Sequence, residues 1–198
     1  KDFVIGDIHY DSRKIKENDV FCALIGAVTD GHNYIEKAVN SGAKMVIAEK
    51  KDITVADKDV TYIFVDNLRK HLGVIAAKCF GWPRKKLKII GITGTNGKTT
   101  SSYILDSMLE NTSRIGTIGY KILDEEIEAP NTTPESLDLV KMLDKSLKKG
   151  VEYFIMEVSS HALEIGRVDM LEFDSVMFTN LTQDHLDYHE NMENYFNA

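Results

Sequence analysis

Short apolar runs alternate with stretches of helical periodicity along this chain of 198 residues. Runs typical of strands span residues 19–25, 45–48, 62–65, 87–93, 153–158 and 174–180, and those at 19–25 and 87–93 are interpreted as buried. Between them, apolar side chains recur at three- and four-residue spacing, which predicts helices at 35–41, 68–79, 103–109 and 134–149. Alternating strands and helices are typical of α/β folds with parallel sheets, and we expect that class here.

A break in this pattern predicts two domains. Gly81-Trp82-Pro83 ends one helix, and the basic run Arg84-Lys85-Lys86-Leu87-Lys88 follows it. Proline disfavours the helical conformation in the residue before it, and clustered charges prefer water, so this stretch is interpreted as a linker. We expect a small N-terminal α/β domain at residues 1–83 and a second, mostly parallel sheet domain at 84–198.

Charge and hydropathy narrow the functional class. The chain has 24 Lys and Arg against 31 Asp and Glu, a net charge of −7, which argues against a general nucleic-acid binder. The longest nearly unbroken apolar run, residues 20–28, is well short of the roughly 18 residues that a membrane span needs. The first residues show no signal peptide but also no initiator Met, so we expect residues upstream of Lys1 in the native protein. We expect a cytoplasmic protein without membrane insertion.

One loop carries the strongest chemical signal. A predicted strand leads directly into Gly94-Thr95-Asn96-Gly97-Lys98-Thr99-Thr100, and a predicted helix follows. In this layout, backbone N–H groups surround a phosphate, the lysine reaches the outer phosphates, and the threonine hydroxyl can bind Mg²⁺. The strict motif would require glycine at position 92, which is Ile92. An ordinary glycine-rich turn is the alternative, but the strand and helix context favours a nucleotide site in a P-loop-type domain.

Polar residues follow two further strands. Glu157 ends the strand at 153–158, and His185 follows the strand at 174–180. Ligands of open α/β sheets bind at the carboxyl ends of strands, so Thr99, Glu157 and His185 are predicted to converge on one crevice. Each has an ordinary structural explanation when taken alone, such as a helix-terminal carboxylate or a polar loop. A hydrolase-like pair of Ser159 and His161 is a weaker alternative, because neither Ser159 nor the adjacent Ser160 lies in a Gly-x-Ser-x-Gly turn.

Motifs in a fixed order connect the chain to a known family. They span residues 91–100, 131–134, 156–163 and 180–189, with 10–13 and 26–32 upstream. Together they resemble the Mur ligases of peptidoglycan synthesis, in the branch of the UDP-N-acetylmuramoyl-tripeptide synthetases. The resemblance covers essentially the whole chain.

The resemblance implies roles for individual residues. It implies a uridine-nucleotide-sugar site at Tyr10, Ser12, Ala27, Val28 and Thr29, and contacts to the muramoyl-dipeptide at Asn131, Thr132, Thr133, Ser159 and Arg167. It implies ATP binding at Gly94, Thr95, Asn96, Gly97, Lys98, Thr99 and Thr100, with Mg²⁺ held by Thr99, Glu157 and His185. Lys98, Glu157 and His185 would be the catalytic residues. Ile165 stands where some members have a substrate-contacting glutamine, so no role is assigned to it.

The implied reaction is an ATP-dependent amide ligation. ATP would phosphorylate the γ-carboxylate of UDP-MurNAc-L-Ala-D-Glu, and a diamino acid, L-lysine or meso-diaminopimelate, would attack the acyl phosphate. Alternatives are a Mur-like ligase with a different substrate and a non-catalytic nucleotide-binding module. The chain stops at Ala198, where the family has a carbamylated lysine followed by the amino-acid-binding domain, so this piece is not expected to be active alone. We expect a monomer.

Overall fold

The computed structural model describes residues 4–26, 29–53 and 59–198. It divides into two compact units, 1–72 and 73–198. The division falls inside a helix, α2 (Leu68–Cys79), because the second half of that helix packs with the second unit. A Cβ on Gly73, for example, would lie 2.7 Å from Met170 Sδ. The domain boundary at residue 83, after this helix, stays a prediction.

The first unit is a parallel sheet with a helix. Its strands are β1 (Ile8–His9), β2 (Val20–Ala23), β3 (Met45–Ala48) and β4 (Thr61–Phe64), in that order across the sheet. Helix α1 (Ile35–Asn40) follows a 3-10 turn at Gly31–Tyr34. The apolar faces predicted from the sequence form the core, in which Phe21 and Val46 pack with Ile35 and Ala38 of the helix.

The second unit is built on a six-stranded mixed sheet. Its strands are β5 (Lys88–Thr93), β6 (Thr112–Ile115), β7 (Tyr120–Ile122), β8 (Glu125–Ile127), β9 (Tyr153–Glu157) and β10 (Ser175–Phe178). The order is β10-β5-β9-β6-β7-β8, parallel from β10 to β6 and antiparallel beyond. Its remaining helices are α3 (Lys98–Met108), α4 (Ser136–Lys148), α5 (Ser160–Glu164), α6 (Leu186–His189) and α7 (Met192–Asn197). The predicted α/β class is confirmed.

Strand register brings the site together. Ile92 of β5 pairs with Glu157 of β9, and Ile115 of β6 pairs with Met156. The segments that follow β5, β6, β9 and β10 therefore meet at one edge of the sheet, where open α/β sheets bind ligands. Among the described residues, no helix has the length and apolar character needed to cross a bilayer.

Candidate nucleotide and substrate site

The loop between β5 and α3 has the backbone shape of a phosphate-binding loop. Gly94 and Gly97 have φ values of +124° and +85°, a region that side-chain-bearing residues rarely adopt. A Cβ on Gly94 would lie 2.3 Å from Thr179 Oγ1, so only glycine fits there, whereas the space around Gly97 is open. Lys98 Nζ donates to Gly94 O at 2.6 Å and to Thr95 O at 3.0 Å. Its ammonium therefore lies across the loop, whose glycines allow a ligand close access.

The segment after β10 holds this loop in place. Thr95 N donates to Asn180 O at 2.9 Å, and Asn96 O accepts from Thr179 Oγ1 at 2.7 Å and from Asn180 Nδ2 at 3.0 Å. Thr95 Oγ1 donates to Thr182 O at 3.1 Å and accepts from Thr182 N at 3.0 Å. Sequence reasoning gave Thr179 and Asn180 no role, although they are the last two residues of the strand predicted at 174–180 and directly follow β10 in the structure.

Partial burial lowers the pKa of Lys98. Desolvation lowers the pKa of its ammonium, while the negative charges of Glu157 and Asp184 act in the opposite direction. A partly desolvated cation interacts more strongly with an anion than a cation in water does, because the local dielectric is lower. The position of Lys98 thus suits it to bind phosphate oxygens.

Glu157 is fully buried at the end of β9 and is held by hydroxyl and amide donors. Its Oε2 accepts from Thr99 Oγ1 at 2.9 Å and from Thr117 Oγ1 at 3.1 Å, and its Oε1 accepts from Thr117 N at 3.3 Å. A Cβ on Gly116 would lie 2.0 Å from Oε1. Thr117 and Gly116 belong to no recognised motif, and sequence reasoning missed both.

The structure brings two of the three predicted magnesium ligands into direct contact. Thr99 and Glu157 offer a hydroxyl and a carboxylate, the oxygen donors that Mg²⁺ prefers, so this part of the set fits the ion. His185 lines the adjoining cavity, and its ring is 3.7 Å from Asp184 and makes an edge contact with Tyr195, so its role as the third ligand stays a prediction. In the described part of the chain, no three His, Cys, Asp or Glu side chains cluster as a metal site. Phosphate or water oxygens would complete the coordination.

The other predicted substrate residues of this unit surround one cavity of about 360 Å³. Its walls include Asn131, Thr132, Thr133, Ser159, Arg167 and His185. Thr133 Oγ1 donates to Glu157 O at 3.0 Å and accepts from Ser159 N at 3.0 Å, which ties this wall to the end of β9. The cavity wall is therefore anchored to the backbone of Glu157, the residue whose carboxylate contacts Thr99.

Arg167 supplies positive charge to the cavity wall. Its Nη1 donates to Thr133 O at 3.0 Å, and its buried Nε makes no hydrogen bond to the described residues but lies 3.7 Å from Glu135 Oε1, an ion-pair distance. The guanidinium keeps unused N–H donors in the cavity wall, so it is suited to an oxygen-bearing ligand. Ser159, in contrast, caps α5 by accepting from Ala162 N at 3.2 Å, which gives its hydroxyl a structural role and does not favour the Ser159–His161 hydrolase pair.

The short helix α6 is fixed through His189, which sequence reasoning also missed. His189 is buried, its Nε2 lies 2.8 Å from Ser160 Oγ, and its Nδ1 lies 3.3 Å from Glu164 Oε2. The ring stacks on Tyr195 with 5.0 Å between centroids. His185, just before α6, has a φ of +52°. Strained backbone of this kind clusters at functional sites, where surrounding contacts maintain it.

The predicted sugar-nucleotide residues lie in the first unit. Ser12 is buried at the start of a 3-10 turn that Asp11 caps, and the Arg13 guanidinium lowers the pKa of Asp11 to about 2. Tyr10 is half-buried just before this turn, and Thr29 Oγ1 donates to the Tyr34 hydroxyl at 3.2 Å. Ala27 and Val28 lie outside the described residues.

A glycine loop between a buried strand and a helix, beside a buried carboxylate, defines the second unit as a phosphate-loop α/β protein. The Mur ligase middle domain matches residues 92–198, and the domain described as "Mur ligase family, catalytic domain" matches residues 4–79. The chain belongs to the Mur ligase family, and the resemblance seen in the motifs is confirmed.

Curated relatives agree with this family. The UDP-N-acetylmuramoyl-L-alanyl-D-glutamate–2,6-diaminopimelate ligase of Fusobacterium nucleatum is 60% identical over 193 residues, which is 96% of this chain and 39% of the relative. The enzyme of the same name from Clostridium tetani is 49% identical over 199 residues, 98% of this chain and 41% of the relative. The chain thus spans about two fifths of the length of the curated relatives it matches.

Solved structures agree as well. One, a UDP-N-acetylmuramoyl-L-alanyl-D-glutamate–2,6-diaminopimelate ligase, aligns with a TM-score of 0.75 at 28% identity and covers 96% of this chain and 39% of its own. The MurF ligase of Thermotoga maritima in complex with ADP aligns with a TM-score of 0.66 at 25% identity, over 96% of this chain and 41% of its own.

Proposed function

We propose that this chain is the uridine-nucleotide and ATP-binding part of a ligase that adds 2,6-diaminopimelate to UDP-MurNAc-L-Ala-D-Glu in peptidoglycan synthesis. The observation that carries the proposal is the contact between Thr99 of the phosphate loop and the buried Glu157, beside a cavity lined by Asn131 and Arg167. The names of relatives up to 60% identical support diaminopimelate over L-lysine. In this reaction, a carboxylate oxygen attacks the γ-phosphorus, ADP leaves, and an amine then displaces phosphate from the acyl carbon.

The residues of this chain fall into two groups, one that would bind the nucleotide and one that would bind the UDP substrate. On the nucleotide side, the backbone from Gly94 to Thr100 would hold the phosphates, and Lys98 would stabilise the charge on the transferring phosphoryl group. Mg²⁺, when bound at Thr99 and Glu157, would neutralise phosphate charge, with His185 as the third predicted ligand. The hydroxyl donors around Glu157 would fix the orientation of its carboxylate.

On the substrate side, Arg167 would hold a carboxylate of the muramoyl-dipeptide, because its planar guanidinium can bind two oxygens at once. Asn131, Thr132, Thr133 and Ser159 would position the peptide. Tyr10, Ser12, Ala27, Val28 and Thr29 would bind the uridine nucleotide. The proposed setting is the cytoplasm, because the proposed substrates are soluble nucleotides. The net charge of −7 argues against nucleic-acid partners, and the proposed state is a monomer.

Phosphate release tests the proposal. The protein at the full length of its relatives is assayed with ATP, Mg²⁺ and UDP-MurNAc-L-Ala-D-Glu, with meso-diaminopimelate or L-lysine in separate reactions. We expect release that depends on meso-diaminopimelate. Release with L-lysine alone would correct the acceptor. Release with neither, from a protein that binds ATP but not the UDP substrate in isothermal titration, would favour a non-catalytic nucleotide-binding module.

The role of Lys98 is tested by Lys98→Ala, with Lys148→Ala as the matched control. Lys148 is an exposed helix residue whose ammonium pairs with Asp144 at 2.7 Å, remote in sequence from the loop. Loss of a preorganised charge-stabilising donor costs about 10²–10³ in kcat. We expect that loss for Lys98→Ala, with unchanged circular dichroism, and wild-type turnover for Lys148→Ala. Equal turnover in the two variants would contradict the assignment.

A further inference from the structure

A chain of hydroxyl groups connects the cavity wall to the phosphate loop. Thr132 Oγ1 lies 3.0 Å from Thr117 Oγ1, which donates to Glu157 Oε2 at 3.1 Å, and the same oxygen accepts from Thr99 Oγ1 at 2.9 Å. A hydroxyl has a single proton. Since Thr117 gives its proton to Glu157, Thr132 must be the donor to Thr117. The bonds therefore run in one direction, from Thr132 through Thr117 to Glu157.

The backbone at Thr117 also contacts Glu157. Thr117 lies just past the end of β6, which pairs in parallel with β9, and its N–H donates to Glu157 Oε1 at 3.3 Å. Gly116 allows this approach, because a Cβ there would lie 2.0 Å from the same oxygen. Glu157 is fully buried, so its carboxylate has little room to move in response to a change at Thr117.

We propose that Thr117 is a positioning residue that couples occupancy of the cavity at Thr132 to binding of the magnesium-nucleotide at Thr99 and Glu157. The inference rests on the proposed function, because it takes the cavity as the muramoyl-dipeptide site. A substrate carbonyl or carboxylate oxygen that accepts the Thr132 proton removes the bond from Thr132 to Thr117. Hydrogen bonds in a chain polarise one another, so Thr117 then donates less strongly to Glu157. Glu157 Oε2 keeps more electron density for a cation.

The sign of the coupling follows from this sequence of bonds. Binding of the UDP substrate strengthens binding of the magnesium-nucleotide, and linkage requires the reverse effect to be equal. A single relay of this kind corresponds to the lower end of typical couplings, about fivefold in Kd. Without the Thr117 hydroxyl, the side-chain route from Thr132 to the Glu157 carboxylate is broken, and the bond from Thr133 Oγ1 to Glu157 O reaches only the backbone.

The test is a thermodynamic cycle on the protein at the full length of its relatives. Isothermal titration gives the Kd of magnesium-AMP-PNP with and without saturating UDP-MurNAc-L-Ala-D-Glu, for the wild type, Thr117→Val and Thr117→Ser. Valine keeps the shape and the backbone N–H but has no hydroxyl, and serine restores the hydroxyl. We expect the ratio of the two Kd values to be about fivefold in the wild type and in Thr117→Ser, and to fall to about one in Thr117→Val.

A second variant separates the relay from a local effect. Thr132→Val should also bring the ratio to about one, and the double variant with Thr117→Val should change it no further, because both residues act in one chain. A ratio in Thr117→Val equal to that of the wild type overturns the inference, as does a wild-type ratio of one. A wild type that binds AMP-PNP but not the UDP substrate overturns the proposed function, and the inference with it.

Discussion

Gly116 is the position where a single methyl group has the most direct effect on the site. In Gly116→Ala, the new Cβ would lie 2.0 Å from Glu157 Oε1, against the roughly 3.5 Å at which non-bonded heavy atoms touch. The carboxylate must therefore retreat by about 1.5 Å, or the strand ends must separate. Glu157 is fully buried, so neither adjustment is free of cost.

The expected magnitude combines two effects. Overpacking in a filled interior costs about 1–3 kcal/mol. Displacement of the carboxylate also weakens its hydrogen bonds to Thr99 and Thr117, at about 0.5–1.5 kcal/mol each. We expect Gly116→Ala to lower the free energy of unfolding by about 2–6 kcal/mol, and Tm by roughly 2–4 °C for each kcal/mol lost.

Urea unfolding measures this loss, with Gly119→Ala as the matched control. The Cβ of that control would have its nearest neighbour at 3.7 Å, Ile127 O, so a change within about 0.5 kcal/mol is expected. Glu157→Asp shortens the side chain and should partly rescue Gly116→Ala, with a coupling of about 0.5–3 kcal/mol. Equal unfolding midpoints for Gly116→Ala and Gly119→Ala would refute the steric argument.

Two further predictions concern stability. Glu125 is held by Lys145 and, at 2.5 Å, by Lys149, and these hydrogen bonds lower its pKa from 4.5 to about 2. Because the pKa of Glu125 is lower in the folded state than in the unfolded state, its ion pairs stabilise the fold fully above pH 4.5, and this stabilisation is lost as the pH falls towards 2. The urea midpoints of the wild type and of Glu125→Gln should therefore converge in acid. Ser146→Ala should cost about 1–3 kcal/mol, because it leaves the buried Ser113 hydroxyl, now 2.8 Å from Ser146, without a partner. The double variant with Ser113→Ala should regain most of that loss in thermal melts, and no recovery would contradict the pairing.

Hydrophobic periodicity predicted the elements whose residues are apolar on the buried side. It gave α2 and β3 with the observed bounds, and α4 to within two residues at each end. It missed β6, because that strand is buried through polar side chains. Thr112 pairs with Asp106, Ser113 with Ser146, and the Arg114 guanidinium lies 3.6 Å from the Tyr103 ring centroid. Burial of this kind depends on partners distant in sequence, which periodicity does not detect.

The residues of the candidate site also divide into those that the sequence predicts and those that it does not. Lys98, Thr99 and Glu157 could be predicted because each occupies a fixed place in a strand-loop pattern, and the structure places Thr99 against Glu157. Their roles in binding and catalysis stay predictions. Gly116 and Thr117 could not be predicted, because they reach Glu157 only through the pairing of β6 with β9. His185 was expected at the same crevice as Glu157; its ring contacts Asp184 and Tyr195, and its role as a magnesium ligand stays a prediction.

The bonds that hold the phosphate loop also determine when it can form. Thr95 and Asn96 are fixed by Asn180 and Thr182, residues that a ribosome adds more than 80 positions later. The loop therefore gains its shape only after β10 has paired with β5, a late step for a chain that folds during synthesis. Under the proposed function, ATP would bind only the completed unit and would stabilise it by mass action, as a folding ligand as well as a reactant.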